Sequence, residues 1–271
     1  MTVSFSAILS TSTGPSSPSG PPVPATPLLQ VEGLSQRYGG RRVLHDIGFT
    51  LQAGESLGII GESGAGKSTL ARLVMALERP HQGRVLWDGQ DVNAMPARER
   101  RALRPQAQMV FQDPYGSLDP RWRVGRSVME PLLALPMNDA QRRERVAEVL
   151  AAVGLEADAA LRFPHQFSGG QRQRLAIARA LSTRPRLIVA DEPLSALDVS
   201  VQAQILALLR ELQRRDGISL VIVSHDLPAV EVLCDRALVL RGGEAVEHGP
   251  AARVLGEPQH PYTQDLLAAL A

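Results

Sequence analysis

The sequence predicts an α/β fold with a mainly parallel core sheet covered by helices on both faces. Two observations carry this reading. Short apolar runs, Ser56-Leu57-Gly58-Ile59-Ile60, Leu187-Ile188-Val189-Ala190 and Ser219 to Ser224, alternate with longer helical patterns. Strands buried on both faces read as unbroken apolar runs of this kind. The first run leads straight into Gly61-Glu62-Ser63-Gly64-Ala65-Gly66-Lys67-Ser68-Thr69. That stretch fits G-x-x-x-x-G-K-[ST], a phosphate-binding loop set between a strand and a helix. Lys67 is the one lysine of the chain, beside 28 arginines. An ammonium is a compact point charge on a narrow stem, so it can enter a ring of backbone N–H groups where a planar guanidinium cannot.

Residues 1–27 carry no charge and are crowded with Ser, Thr and Pro. Such a segment has little apolar surface to set against its ordering entropy and is predicted to be disordered. It also lacks the basic start of a secretory signal. Order is expected from Leu28, as one domain over residues 28–271. Leu28 to Leu34 and Val43 to Leu51 alternate apolar and polar residues, as half-buried strands do. Thr69 to Leu77 reads as a helix, and Gly83 to Gly89 as a strand ending in an Asp-Gly turn. Residues 113–180 change to helical patterning, with helices over Val124–Leu135, Asp139–Val153 and Gly170–Leu181. Val201 to Arg214 is an amphipathic helix. Ala237 to Ala245 reads as a hairpin turning at Gly242-Gly243, and the tail, residues 246–271, closes with a helix over Thr263–Leu270.

At 271 residues the chain can bury a full core. Its 29 basic residues are matched by 28 acidic ones, which gives no support for a nucleic-acid partner. A single cysteine, Cys234, excludes intrachain disulfides and Cys-rich metal or iron–sulfur sites. No apolar run approaches the roughly 18 residues of a membrane helix, so work at a membrane requires docking on other chains.

Three groups of residues carry chemistry. The loop at 61–69 supplies backbone N–H donors, a helix N-terminus and Lys67 for a triphosphate. Glu62, Ser63 and Ala65 contribute backbone there, and the Ser68 hydroxyl suits Mg²⁺. The apolar strand ending in Asp191-Glu192 places one carboxylate, Asp191, to hold Mg²⁺ directly or through water. It places a second, Glu192, to polarise the attacking water as general base. Ser168-Gly169-Gly170-Gln171 opens a helix 23 residues before Asp191 and forms another anion-binding cap.

In this order and spacing the motifs resemble those of the nucleotide-binding subunits of ABC (ATP-binding cassette) transporters, over residue 28 to the end. The resemblance implies a P-loop NTPase fold with an antiparallel β subdomain and an inserted helical subdomain. It implies that Tyr38 stacks on adenine and that Gln112, in Phe111-Gln112-Asp113-Pro114, senses Mg²⁺ and the lytic water. It implies that Ser195-Ala196-Leu197-Asp198 crosses between two subunits and that His225 contacts the γ-phosphate. The implied cofactors are ATP and Mg²⁺. The implied partner is a second ATPase subunit, identical or different, packed head to tail so that Ser168–Gln171 of each closes the other's site. Two further stretches, Phe111 to Arg121 and His260-Pro261-Tyr262-Thr263-Gln264-Asp265-Leu266-Leu267, resemble the peptide/nickel import branch, of the nickel or dipeptide type. That branch implies uptake of peptides or nickel and other metal chelates through two integral membrane permease subunits, served by an extracytoplasmic substrate-binding protein. The ATPase then sits peripherally on the cytoplasmic face. A relative with the same tail serves in carbon–phosphorus lyase systems, so the alternative is an ABC ATPase of a soluble complex. A P-loop kinase lacks S-G-G-Q, and a GTPase needs an N-K-x-D base reader for which the chain has no second lysine.

Overall fold

The structure, a computed structural model, describes residues 26–113, 116–194 and 197–270. The chain opens with an antiparallel pair, β1 (Leu29–Tyr38) and β2 (Arg41–Leu51), then runs through β3 (Ser56–Ile60) and the glycine loop into α1 (Lys67–Val74). It returns as β4 (Gln82–Trp87) and the short β5 (Gln90–Asp91), completing a four-stranded antiparallel sheet in the order β2-β1-β4-β5. Next come α2 (Ala97–Leu103), β6 (Ala107–Val110), α3 (Val124–Met129), α4 (Asp139–Ala152) and α5 (Gly169–Leu181). The remainder is β7 (Leu187–Asp191), α6 (Val199–Asp216), β8 (Ser219–Val223), α7 (Leu227–Leu233), β9 (Arg236–Arg241), β10 (Glu244–Pro250), α8 (Ala251–Gly256) and α9 (Pro261–Leu270). The second sheet has the order β10-β9-β3-β8-β7-β6, parallel from β9 to β6, with β10 antiparallel at one edge.

The apolar strands feed two cores on alternate residues, because successive side chains leave a strand on opposite faces. Ile188 and Ala190 of β7, Leu220 and Ile222 of β8, and Ala237 and Val239 of β9 join a core shared with α3 to α7. Leu187, Val189, Val221, Val223, Leu238 and Leu240 join a second core with α1 and the antiparallel sheet. Ala65 of the glycine loop packs into the second core. The β9–β10 turn, Gly242-Gly243, has φ of 55° and 88°, the doubly positive pattern of a tight hairpin turn. It is wedged against its neighbours: Gly243 O accepts from His45 N at 2.8 Å, and Gly243 N donates to Ala65 O at 3.1 Å.

Several elements differ from the expectation. The helix expected over Val124–Leu135 is broken: α3 ends at Met129 and Glu130–Ala134 is 3₁₀. Pro131 explains this, since it lacks an N–H and its ring displaces the carbonyl four residues back. β1 continues to Tyr38, past the expected end at Leu34, with register shifts beyond Val31 that interrupt its alternation. β6, α7 and α8 are additional elements. The segment expected to be disordered, residues 1–27, lies outside the described residues apart from Thr26 and Pro27, as do Pro114, Tyr115, Ser195 and Ala196. Among the described residues no helix is long and apolar enough to cross a membrane.

Candidate functional site

The site forms where the parallel sheet ends. Three adjacent strands, β6, β7 and β8, deliver Gln112, Asp191-Glu192 and His225 at or just beyond their C-terminal ends, opposite the loop that leaves β3. Open α/β sheets bind ligands outside the carboxyl ends of their strands for this reason.

Gly66 turns the loop into α1 with φ of 104°. A Cβ there would lie 2.7 Å from Leu44 Cδ2 and 2.9 Å from the Val43 carbonyl oxygen, so strand β2 presses the loop against any side chain larger than hydrogen. Lys67 follows as the first helical residue and is 6% exposed. Its Nζ donates to the carbonyl oxygens of Gly61 at 2.8 Å and Glu62 at 3.0 Å. Burial lowers the Lys67 pKa, against the raising effect of Glu192 and Asp191. The next residue, Ser68, donates from its hydroxyl to Asp191 Oδ1 at 3.0 Å. Burial raises the Asp191 pKa, and the Ser68 hydrogen bond opposes that. A hydroxyl and a carboxylate side by side are hard oxygen donors, and that pairing fits Mg²⁺, which takes one or two protein oxygens and completes its shell from phosphates and water.

Glu192 leaves β7 with φ of 45°, a left-handed conformation that a non-glycine residue keeps only when its surroundings hold it there. Its N–H donates to the Val223 carbonyl of β8 at 2.8 Å. The carboxylate is gripped at both oxygens: Oε2 accepts from Gln112 Nε2 at 2.9 Å, and Oε1 lies 3.5 Å from His225 Nδ1. The general-base candidate is thus aimed by groups from the two flanking strands.

An open cleft of about 310 Å³ over the loop is lined by Ser63, Gly64, Lys67, Ser68, Gln112 and Glu192 among others. A second cleft of about 370 Å³ adjoins it through Val43 and Gly64 and is lined by Tyr38, Arg41 and Arg42. Tyr38 is 44% exposed and its hydroxyl donates to the Glu78 carboxylate, so the ring is fixed at one end and open on the cleft side. Burial first, then Glu78, raises its pKa. Arg41, Arg42 and Val43 carry no motif that marks them in the sequence.

The remaining candidates stand elsewhere. Ser168 caps α5 in a reciprocal capping box: Oγ accepts from Gln171 N at 3.3 Å, and Ser168 N donates to Gln171 Oε1 at 3.0 Å. Asp198 caps α6, accepting from Val201 N at 3.0 Å and Ser200 Oγ at 2.8 Å. Neither Ser168–Gln171 nor Asp198 lines the two clefts. Gly170 joins these two helix starts, since a Cβ on it would run into Cγ1 of Val201.

The family described as ABC transporter matches residues 44–195. A Brucella ovis protein provisionally named a peptide import ATP-binding protein is 46% identical over 250 residues, covering 90% of this chain and 79% of that one. The chain belongs to the ATP-binding family of ABC transporters. This cassette is also 46% identical over 261 residues to the glutathione import ATP-binding protein GsiA of Pectobacterium atrosepticum, covering 92% of its own length and 42% of that longer protein. Among solved structures, cbiO1 of Clostridium perfringens, part of a cbiONQ complex, aligns with a TM-score of 0.76 at 31% identity over 86% of this chain and 92% of that one. A dimeric cassette, MJ0796, in a post-hydrolysis state with ADP and Pi, aligns with a TM-score of 0.74 at 30% identity over 82% and 98%. The P-loop α/β fold and the ATPase activity of the family are therefore those of this chain.

Proposed function

We propose that this cassette is the ATP-hydrolysing subunit of a peptide import complex. It would work on the cytoplasmic face beneath two membrane permease subunits, paired with a second cassette and fed by an extracytoplasmic binding protein. The observation that carries the hydrolytic part is the doubly held Glu192, beside Lys67, Ser68 and Asp191. In this reading the loop's N–H groups other than that of Glu62, together with the Lys67 ammonium, cradle the triphosphate. Tyr38 faces the base. Glu192 accepts the proton of the attacking water, with Gln112 and His225 fixing its carboxylate. Ser68 and Asp191, with Gln112 on the same cleft, would hold Mg²⁺, which would supply positive charge to the phosphate oxygens. Phosphoryl transfer of this type depends on positioning and charge stabilisation rather than on covalent chemistry. Ser168–Gln171 stands outside its own chain's cleft, and it suits the γ-phosphate held by a second cassette, with Asp198 at the crossing. The peptide cargo is supported by the names of relatives that match about nine-tenths of the chain at 46% identity.

Glu192→Gln keeps shape and removes the base. ATP turnover should fall by about 10²–10⁴-fold, and Mg²⁺-ATP should hold the variant as a dimer in sedimentation. Turnover at the wild-type rate removes Glu192 from the base role. For the import part, the chain co-expressed with its permeases should co-purify with them. Its ATPase activity in proteoliposomes should rise with peptide-loaded binding protein, and purification free of membrane chains would contradict import.

A further inference from the structure

The C-terminal tail reaches back to the phosphate loop. Tyr262, on the first turn of α9, is 7% exposed, and its hydroxyl oxygen accepts from the Glu62 N–H at 3.4 Å. Two hundred residues of sequence separate the partners. The tyrosine is itself held from three sides. The Arg241 guanidinium lies 4.8 Å over its ring centroid, and its own N–H donates to His260 Nδ1 at 3.1 Å. The turn that carries it is pinned to β10, where Glu247 accepts from Gln259 N at 2.9 Å and His260 N at 3.1 Å. The Gly61–Glu62 peptide is therefore held at both ends, its Gly61 carbonyl by Lys67 from within the loop and its Glu62 N–H by Tyr262 from outside.

We propose that Tyr262 is a positioning residue for ATP binding: it holds the Glu62 N–H so that the loop keeps its open, donor-lined shape. This rests on the reading of residues 61–69 as the triphosphate cradle. A triphosphate that draws the Lys67 ammonium removes a donor from the Gly61 and Glu62 carbonyls, and that loosens the inner grip. The Tyr262 contact is made on the N–H side of the same peptide, so it can hold the loop in shape when the ammonium moves. Holding a site in its bound shape raises affinity by lowering the ordering cost on binding. Loss of one neutral hydrogen bond corresponds to roughly a 2- to 10-fold change in equilibrium constant.

Tyr262→Phe retains the ring and its packing and deletes the acceptor. In full-length Glu192→Gln protein, where bound nucleotide is not consumed, calorimetric titration with Mg²⁺-ATP should give a Kd about 2- to 10-fold weaker for the double variant. With Glu192 intact, KM for ATP should rise by a similar factor. The nucleotide-free protein, which also makes this bond, should melt no more than about 4 °C below the parent. In ¹⁵N-labelled wild type the Glu62 amide should exchange with solvent more slowly than in Tyr262→Phe. Unchanged affinity, an unprotected Glu62 amide in wild type, or weaker binding accompanied by a melting temperature without nucleotide lower by clearly more than about 4 °C would each overturn the proposal. Lys67→Ala separates the two levels. Loss of binding there with wild-type affinity in Tyr262→Phe refutes the tail's role alone, whereas retained binding in Lys67→Ala refutes the cradle itself.

Discussion

Asp191 combines 5% exposure with a position beside a second carboxylate, and burial holds its pKa above the ordinary 3.8. Its native state therefore keeps a proton to higher pH than the unfolded chain does. Stability falls as pH rises through the window between 3.8 and the raised native value, and the penalty is fully present above that window. Asp191→Asn removes the charge. The nucleotide-free variant should melt higher than the parent at pH 7, and the difference should vanish below the ordinary carboxylate range, where both side chains are neutral in both states. Mg²⁺-ATP should lose most of its stabilising effect on the variant. Equal melting temperatures at pH 7 would show that Asp191 is not strained by burial. At this scale the local motifs were readable: the glycine loop and the strand-end acid pair each lie within nine consecutive residues or fewer. Tyr262 lies in the tail stretch that carries the family resemblance, but its contact with Glu62 joins residues 200 positions apart and no local pattern announces it. The same holds for Arg41, Arg42 and Val43, which border the clefts only because β2 folds over the loop.

Gly170 shows how one element constrains another. Alanine in a helix is favoured over glycine by up to about 1 kcal/mol, while overpacking opposes it by about 1–3 kcal/mol. Since a Cβ would strike Val201 Cγ1, the clash should win, and Gly170→Ala should destabilise the chain in urea unfolding. In a Val201→Ala background the clash is gone and the same substitution should be neutral or stabilising. A change of the same sign in both backgrounds would mean that the α5–α6 approach is not what selects glycine. The pattern of apolar runs locates β3, β7 and β8 to within a residue, because strands covered on both faces have no polar side to blur them. The Asp88-Gly89 turn also lies where the sequence puts it, joining Trp87 and Gln90. β6 is legible only in retrospect: four residues containing Gln108 carry too little apolar signal. The arm of the terminal hairpin at β9 is visible as a strand, yet its parallel pairing with β3 is a long-range property.

At the scale of the whole molecule, the order of the large sheet interleaves distant segments, with β3 between β9 and β8. Each of β3, β7, β8 and β9 supplies both cores, so losing one core strips the other of one face of its strands. Thermal unfolding without nucleotide should be a single cooperative transition, coincident by tryptophan fluorescence and far-UV circular dichroism. Trp87 reports the antiparallel layer and Trp122 the helical side. Two separated transitions would show that the layers unfold independently. The turn at Gly242-Gly243 bears on how the protein can be handled. A glycine pair at a hairpin tip invites grafting of an epitope or fluorophore, yet this one is the keystone between β2 and the nucleotide cradle. A graft at that tip would push β2 away from the loop and silence ATP turnover while both cores stayed folded.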